Sequence, residues 1–213
     1  MNAKEKVLEV IERLKKEYPT TKCTLNYSNP LELLIATRLA AQCTDSRVNS
    51  VTPNLFCHYK NVEDFSLASV DELEDYIKPC GFYHIKSFDI IEMCKKIKNN
   101  FLGNVPDNMK DLVSLPGIGR KTANVILATI YGKPAIIVDT HFMRVTRRLG
   151  FHSIKDAKKI ESIMKKIIPD HEQTKFSHRL VDHGRAVCKA KKPVCSACCL
   201  KDVCKFYVTK TII

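Results

Sequence analysis

The fold of this chain is decided by residues 115–124, which read Leu115-Pro116-Gly117-Ile118-Gly119-Arg120-Lys121-Thr122-Ala123-Asn124. A proline disfavours helix in the residue before it, and a glycine lets the backbone turn sharply or approach a partner closely. Apolar residues recur with helical spacing on both sides of the glycines. The stretch therefore predicts a helix, a tight hairpin and a second helix that begins near Gly119 or Arg120. The amides at that helix start suit a phosphate oxygen, although an ordinary helix–helix connection is the alternative.

Composition and charge narrow the class of protein. The chain has 213 residues, 45% of them hydrophobic, which suits one or two compact domains. With 35 Lys and Arg against 23 Asp and Glu, the net charge of +12 favours nucleic acid as partner, ahead of an anionic membrane surface. We find no long apolar run typical of a membrane helix, and the N-terminus is too charged for a signal peptide. We therefore expect a monomer without a membrane partner, in the cytoplasm, associated with the nucleoid if the source is prokaryotic.

Nearly every segment has helical periodicity, which predicts an all-α protein with two helical lobes. Asn29-Pro30-Leu31-Glu32 is typical of a helix start, Ser69 is expected to begin another capping box, and Asp107 is expected to cap the helix before the hairpin. The short apolar run 135–138 lacks partner strands, so we interpret it as a buried connector. The weakest seam between lobes lies near Gly132–Pro134.

Five of the 10 cysteines crowd the C-terminus. The spacing of Cys188, Cys195, Cys198 and Cys204 suits one zinc ion or one [4Fe–4S] cluster, and leaves Cys199 over. Structural zinc sites usually use two Cys-x-x-Cys pairs, whereas only Cys195 and Cys198 form one here, so the spacing slightly favours iron–sulfur. Unligated cysteines are the alternative, but four rarely cluster so tightly without a shared role.

Lys121 lies in the first turn of the predicted second helix, where the positive end of the helix disfavours an ammonium. The neutral amine is a nucleophile that can form a Schiff base, while a solvated surface lysine is the alternative. Asp139 follows the apolar connector and is the candidate partner. It can cap the next helix at Thr140 and, as a rigid carboxylate, take a proton or stabilise a developing cation.

Together these motifs resemble the endonuclease III family of helix-hairpin-helix, iron–sulfur DNA glycosylases. The hairpin, Lys121, Val138-Asp139-Thr140-His141, His183-Gly184-Arg185 and the cysteines occur in the family's order, and the resemblance extends from Leu39 to Cys204. It implies a six-helix domain over 22–133 that contains the hairpin. It also implies a second helical domain that joins 1–21 to 134–213 and carries a [4Fe–4S] cluster in a C-terminal loop, with DNA bound along the cleft between the two.

The resemblance also implies an activity in base excision repair, that of a bifunctional DNA glycosylase and AP lyase. Its partner is double-stranded DNA with damaged bases or abasic sites, and oxidised pyrimidines such as thymine glycol are the usual substrates. Lys121 attacks C1′ of a flipped nucleotide and β-elimination cuts the strand, while Asp139 assists departure of the base. Gln42 fills the gap left by that base, and Phe82 is the wedge. The full set of implied DNA contacts is Gln42, Phe82, Leu115, Gly117, Ile118, Gly119, Arg120, His141 and Arg144.

Some positions depart from the family pattern. Phe82 stands where the family often has leucine, and a core aromatic is the alternative for it. Cys43 and Phe142-Met143 also differ and bear on the substrate range. An adenine-mismatch glycosylase is the nearest rival, but it lacks the lysine and has a glutamate at the position that looks like Thr37. A non-catalytic iron–sulfur DNA-binding protein is the rival from another class, and it has no need of Lys121 with Asp139.

Overall fold

The computed structural model of this protein describes residues 2–211, and within that range it contains helices and no strand. This confirms the all-α prediction. The helices are α1 (Ala3–Glu17), α2 (Pro30–Leu39), α3 (Asp45–His58), α4 (Val62–Ser66), α5 (Val70–Ile77), α6 (Tyr83–Phe101), α7 (Met109–Ser114), α8 (Arg120–Thr129), α9 (Thr140–Leu149), α10 (Ala157–Lys165), α11 (Asp170–Ala186) and α12 (Lys205–Thr211). Short 3-10 turns lie at Lys78–Cys80 and Lys201–Val203. None of the described helices is long and apolar enough to cross a membrane.

The chain divides into two compact units, one of which is Thr24–Gly132 and the other of which joins Met1–Cys23 to Lys133–Ile213. The first unit, all of whose residues are described, contains α2 to α8. These are seven helices where six were predicted, and the additional one is α4, which Asn61 caps. Five residues carry too few apolar positions for the helical period to be recognised.

Helix starts in Thr24–Gly132 follow the predicted chemistry only in part. Asn29 caps α2, since its Oδ1 accepts a hydrogen bond from Glu32 N at 3.0 Å, and Pro30 is the first helical residue, as predicted. The predicted capping box at Ser69 is wrong, because that side chain makes no capping hydrogen bond. Asn108, rather than Asp107, caps α7. The buried core of this unit is formed by residues such as Leu33, Leu34, Ile35, Leu39, Leu55, Leu73, Ile90, Ile97, Leu112 and Ile126.

The second unit packs α1 and α9 against α11 around its own core. Phe142 and Phe176 meet edge to face, with ring centroids 6.1 Å apart, among Val7, Val10, Ile11, Leu14, Val145, Leu149, Ile160, Met164 and Leu180. Residues 135–138 form a buried, non-regular connector, as predicted. Ile137 N donates to Ser177 Oγ at 3.1 Å. That contact anchors the connector on α11 immediately before Asp139.

Candidate functional site

The predicted helix-hairpin-helix is formed by α7, the turn 115–119 and α8. Ile118 N donates to Leu115 O at 3.1 Å, and Gly117 has a φ of +70°, which favours glycine. Leu115 is 2% exposed and Ile118 5%, so both side chains anchor the hairpin in the core. Both residues are therefore core anchors of the turn, and the exposed residues of the hairpin are its two glycines.

An ion pair from α2 and α6 explains why residue 117 must be small. Arg38 donates to Asp89 Oδ2 through Nε at 2.8 Å and through Nη2 at 2.6 Å. A Cβ added to Gly117 would lie 2.5 Å from Arg38 Nε and 2.6 Å from Asp89 Oδ2. Because Arg38 and Asp89 are 51 residues apart in sequence, reading the hairpin alone could not find this pair.

We expect Gly117→Ala to lower the free energy of unfolding by about 2 kcal/mol, because it combines a left-handed φ with a clash against the ion pair. The matched control is Gly119→Ala. Gly119 has a φ of −89°, and an added Cβ there would meet nothing within 4 Å, so we expect a loss below about 1 kcal/mol. Urea denaturation of both variants measures the difference. Equal losses would show that the ion pair does not constrain the hairpin.

The start of α8 is arranged to receive an anion. Gly119 is the N-cap residue and has no side chain with which to accept a hydrogen bond from the first-turn amides. Arg120 and Lys121 are the first two residues of the helix and both are exposed. The positive end of the helix dipole and the positive charge of these residues together favour an anionic partner at this helix start.

Asp139 is the N-cap of α9, as predicted, and its Oδ1 accepts a hydrogen bond from Phe142 N at 2.7 Å. The side chain is half-buried and so held in one orientation. Burial lowers the pKa of nearby His178, and the carboxylates of Asp182 and Asp139 oppose that effect. The carboxylate of Asp139 is therefore fixed by the helix it caps and acts electrostatically on α11.

His141 and Arg144, two of the predicted DNA contacts, pack against the end of α11. Arg144 donates through Nη2 to Gly184 O at 2.9 Å and through Nε to Cys188 O at 3.0 Å, and its Nη2 lies 3.1 Å from His141 Nδ1. A Cβ on Gly184 would lie 2.8 Å from that same nitrogen. Arg144 thus also fixes the start of the cysteine loop, a role that the sequence analysis did not include.

Gln42 and Phe82 are both exposed and both belong to the Thr24–Gly132 unit. Phe82 is 59% exposed, so its alternative interpretation as a core aromatic is wrong. Both residues have left-handed backbone, with φ of 55° and 49°. Each side chain is thus presented from a turn rather than from the body of a helix.

The four predicted ligand cysteines line one cavity, and Cys199 is not among its lining residues. Apolar side chains complete the wall, chiefly Val187, Pro193, Val194 and Phe206. Burial raises the pKa of Cys198 to about 11 and also raises that of Cys204. Thiols buried in this way ionise when a bound metal balances their charge.

Across residues 2–211, no group of three or more His, Cys, Asp or Glu side chains is arranged to hold a single metal ion. The cavity lining nevertheless gathers Cys188, Cys195, Cys198 and Cys204. Ligands of a cluster stand farther apart than ligands of one ion, because several metal atoms lie between them. The donor set, four thiols in a mostly apolar cavity, suits a thiolate-ligated metal centre.

Two residues to which the sequence analysis gave no role at the cysteines support this cysteine loop. Arg148 donates to Cys188 Sγ at 3.2 Å and to Lys189 O at 2.7 Å, and lies 4.8 Å from the centre of the Phe206 ring. His183 is buried, with Nε2 at 3.4 Å from Cys198 Sγ, and burial lowers its pKa to about 4. Arg148 follows Arg144 by one helical turn, a spacing that could have indicated a shared role.

This chain is similar in sequence to a known family of proteins. Residues 35–170 match the HhH-GPD superfamily base excision DNA repair protein model. Endonuclease III from Synechocystis is 44% identical over 202 residues, which cover 94% of this chain and 92% of that protein. Endonuclease III from Escherichia coli K12 is 39% identical, with 95% and 96% covered.

Solved structures show the same similarity. A non-covalent endonuclease III–DNA complex matches with a TM-score of 0.93 at 39% identity, covering 100% of both chains. A trapped endonuclease III–DNA covalent intermediate also has a TM-score of 0.93 at 39% identity, and 99% of this chain and all of that chain are covered.

Proposed function

Because this chain belongs to the endonuclease III family of HhH-GPD base excision DNA repair proteins, we propose that it removes oxidised pyrimidines from duplex DNA with Lys121 as its nucleophile. It is a DNA glycosylase and AP lyase that acts on DNA. The substrate class is that of thymine glycol, and abasic sites are the second substrate. We propose that it works in the cytoplasm, associated with the nucleoid in a prokaryotic cell.

The observation that carries the proposal is the position of Lys121. Its amine is exposed in the first turn of α8, two residues after Gly119, so the element that binds a backbone phosphate also presents the nucleophile. The amides of Gly117 and Gly119 hold the phosphate without reading sequence. Lys121 then meets a C1′ that has been flipped out of the stack, because an enzyme cannot reach that atom within the duplex.

The reaction proceeds in two stages. The lone pair of Lys121 Nζ forms a bond to C1′ while the bond from C1′ to the base nitrogen breaks, and the base leaves with its electron pair and gains a proton. Opening of the sugar ring converts the C1′ amine into a protonated imine. Loss of a proton from C2′ then expels the 3′ phosphate, which cuts the strand, and water hydrolyses the imine to release Lys121.

Asp139 serves the first stage in this proposal. Positive charge develops at C1′ and O4′ as the base departs, and a carboxylate held by its own helix cap needs no reorganisation to stabilise that charge. One oxygen of Asp139 is occupied by Phe142 N, which fixes the direction of the other.

Borohydride trapping tests the function. Wild-type protein is mixed with duplex DNA that carries one thymine glycol, and borohydride is added to reduce any imine to a stable amine. We propose that a covalent adduct forms, and that without borohydride the strand is cut on the 3′ side of the lesion. Base release without strand cutting or adduct, on an adenine-mismatch duplex, would instead favour the monofunctional rival. Binding without either product would favour the non-catalytic rival.

We propose that Cys188, Cys195, Cys198 and Cys204 hold a [4Fe–4S] cluster. The proposal rests on the cavity that these four line and on the guanidinium of Arg148, which donates to Cys188 Sγ. A bound cluster supplies a cross-link that ties residues 188–204 into one loop, with exposed lysines at Lys189, Lys191, Lys192, Lys201 and Lys205. In this proposal the role of the cluster is structural, because Lys121 and Asp139 perform the reaction.

Replacing one ligand should remove the cluster, whereas replacing the spare cysteine should not. We expect Cys198→Ser to lower the iron content from about four per chain to below one and to abolish the brown colour. Cys199→Ser should retain both, because Cys199 is not among the residues that line the cavity. Iron and sulfide analysis with visible absorbance measures the result. A colourless wild-type protein with one zinc per chain would refute the cluster.

A further inference from the structure

Two turns in the Thr24–Gly132 unit hold strained backbone next to each other. Gln42 and Phe82 are two of the four non-glycine residues with positive φ in the described part of the chain. Left-handed backbone at such residues persists only where the surroundings over-determine it, and it clusters at functional positions. Something must therefore hold these two turns in place.

Lys86 lies beneath both turns. Its side chain comes from α6, one helical turn after Phe82, and is only 1% exposed. Its Nζ donates to Leu39 O at 2.8 Å and to Cys80 O at 3.0 Å. Leu39 is the last residue of α2, three residues before Gln42, and Cys80 ends the 3-10 turn, two residues before Phe82. One buried amine thus links the end of α2, which precedes the Gln42 turn, to the end of the 3-10 turn, which precedes the Phe82 turn.

The thiols of Cys43 and Cys80 provide a second link between the turns, because burial and the neighbouring Cys43 thiol together raise the pKa of Cys80 to about 11. Burial lowers the pKa of Lys86, and the two thiols oppose that effect. Lysine is almost never fully buried unless its polar atoms are satisfied, and a methionine would fill the same space without that cost. The amine of Lys86 donates to two backbone carbonyls, so its role is to hold these two backbone segments at a fixed distance from each other.

We propose that Lys86 is a positioning residue that locks the Gln42 turn and the Phe82 turn into one unit, so that both side chains enter the DNA together. The inference rests on the proposed function, in which those two residues fill and wedge the space around the flipped nucleotide. Lys86 touches neither DNA nor the reacting atoms. It acts by keeping two exposed side chains in a fixed relation before DNA arrives, which avoids ordering them during binding.

The test compares Lys86→Met with Lys95→Met, which removes an exposed lysine from the same helix. A 2-aminopurine next to an uncleavable abasic analogue reports unstacking of the duplex by its fluorescence. We expect Lys86→Met to reduce this signal and to slow single-turnover excision of thymine glycol by about 10- to 100-fold, as misplacement of an ångström does. Affinity for undamaged DNA and cluster absorbance should not change. Lys95→Met should match wild type in every measurement.

A double-mutant cycle separates positioning from general support of the core. In a background that carries both Gln42→Ala and Phe82→Ala, we expect Lys86→Met to slow single-turnover excision by less than about twofold, because the side chains that Lys86 positions are gone. If Lys86 only stabilises the core, Lys86→Met should slow excision by the same factor in both backgrounds. If Lys86→Met does not fold, Lys86→Gln is used instead, since its amide still donates to a carbonyl.

The outcomes are distinct. A folded Lys86 variant with wild-type fluorescence and excision, or an equal loss in both backgrounds, overturns the inference. Wild-type protein that unstacks the duplex without excising the base contradicts the proposed function, and the fluorescence comparison still decides the role of Lys86. Wild-type protein that does neither overturns both.

Discussion

Lys121→Ala should abolish the borohydride-trapped adduct and lower the rate of strand cutting by more than about a thousandfold, because it removes the proposed nucleophile. The substitution should leave the fold intact. Lys121 is exposed in the first turn of α8, and alanine favours helix, so we expect the free energy of unfolding to change by less than about 0.5 kcal/mol. Binding to an uncleavable abasic duplex should persist, since the phosphate contacts are proposed to come from backbone amides of the hairpin.

The matched control for Lys121→Ala is Lys110→Ala, an exposed lysine on the helix before the hairpin. It removes the same charge from the same unit and should leave trapping unchanged. Gel analysis of trapped adduct against time, with thermal melts of each variant, provides the measurement. An adduct of normal yield from Lys121→Ala would assign the nucleophile to a different amine.

Asp139→Asn should slow release of the base by about 100- to 1,000-fold while the fold stays intact. Asparagine is as good an N-cap as aspartate, so its side-chain oxygen can still accept from Phe142 N. The substitution therefore removes the charge and keeps the cap. Asp139→Ala removes both, and we expect it to cost about 1 kcal/mol of stability in addition.

A comparison of two substrates shows whether Asp139 acts in base release or in strand cutting. A preformed abasic site has already lost its base, so we expect Asp139→Asn to impair cutting of that duplex far less than excision of thymine glycol. Single-turnover rates on both duplexes, with urea denaturation of Asp139→Asn and Asp139→Ala, measure this difference. Wild-type excision by Asp139→Asn would leave Asp139 with the cap as its only role.

Local chemistry explains why so much of the fold could be predicted. Asn29 with Pro30, and Asp139 before Thr140, cap helices because a short polar side chain satisfies amides within three residues of it. The same locality explains the failures. Ser69 and Asp107 carry suitable side chains, but Asn108 competes successfully for the start of α7, and α4 is too short for periodicity to reveal.

The sequence by itself determined the helical class, the hairpin, the position of Lys121 after it and the spacing of the cysteines, because each depends on residues that lie close together in the chain. Only the tertiary structure decided which atoms surround them. Arg38 and Asp89 confine Gly117, Arg148 donates to Cys188, and Lys86 donates to Leu39 O, 47 residues away in sequence. These contacts depend on packing between distant helices, which no local spacing encodes. Residues 115–124 thus specify a hairpin, while the packing of Arg38 and Asp89 against Gly117 fixes its position in the unit.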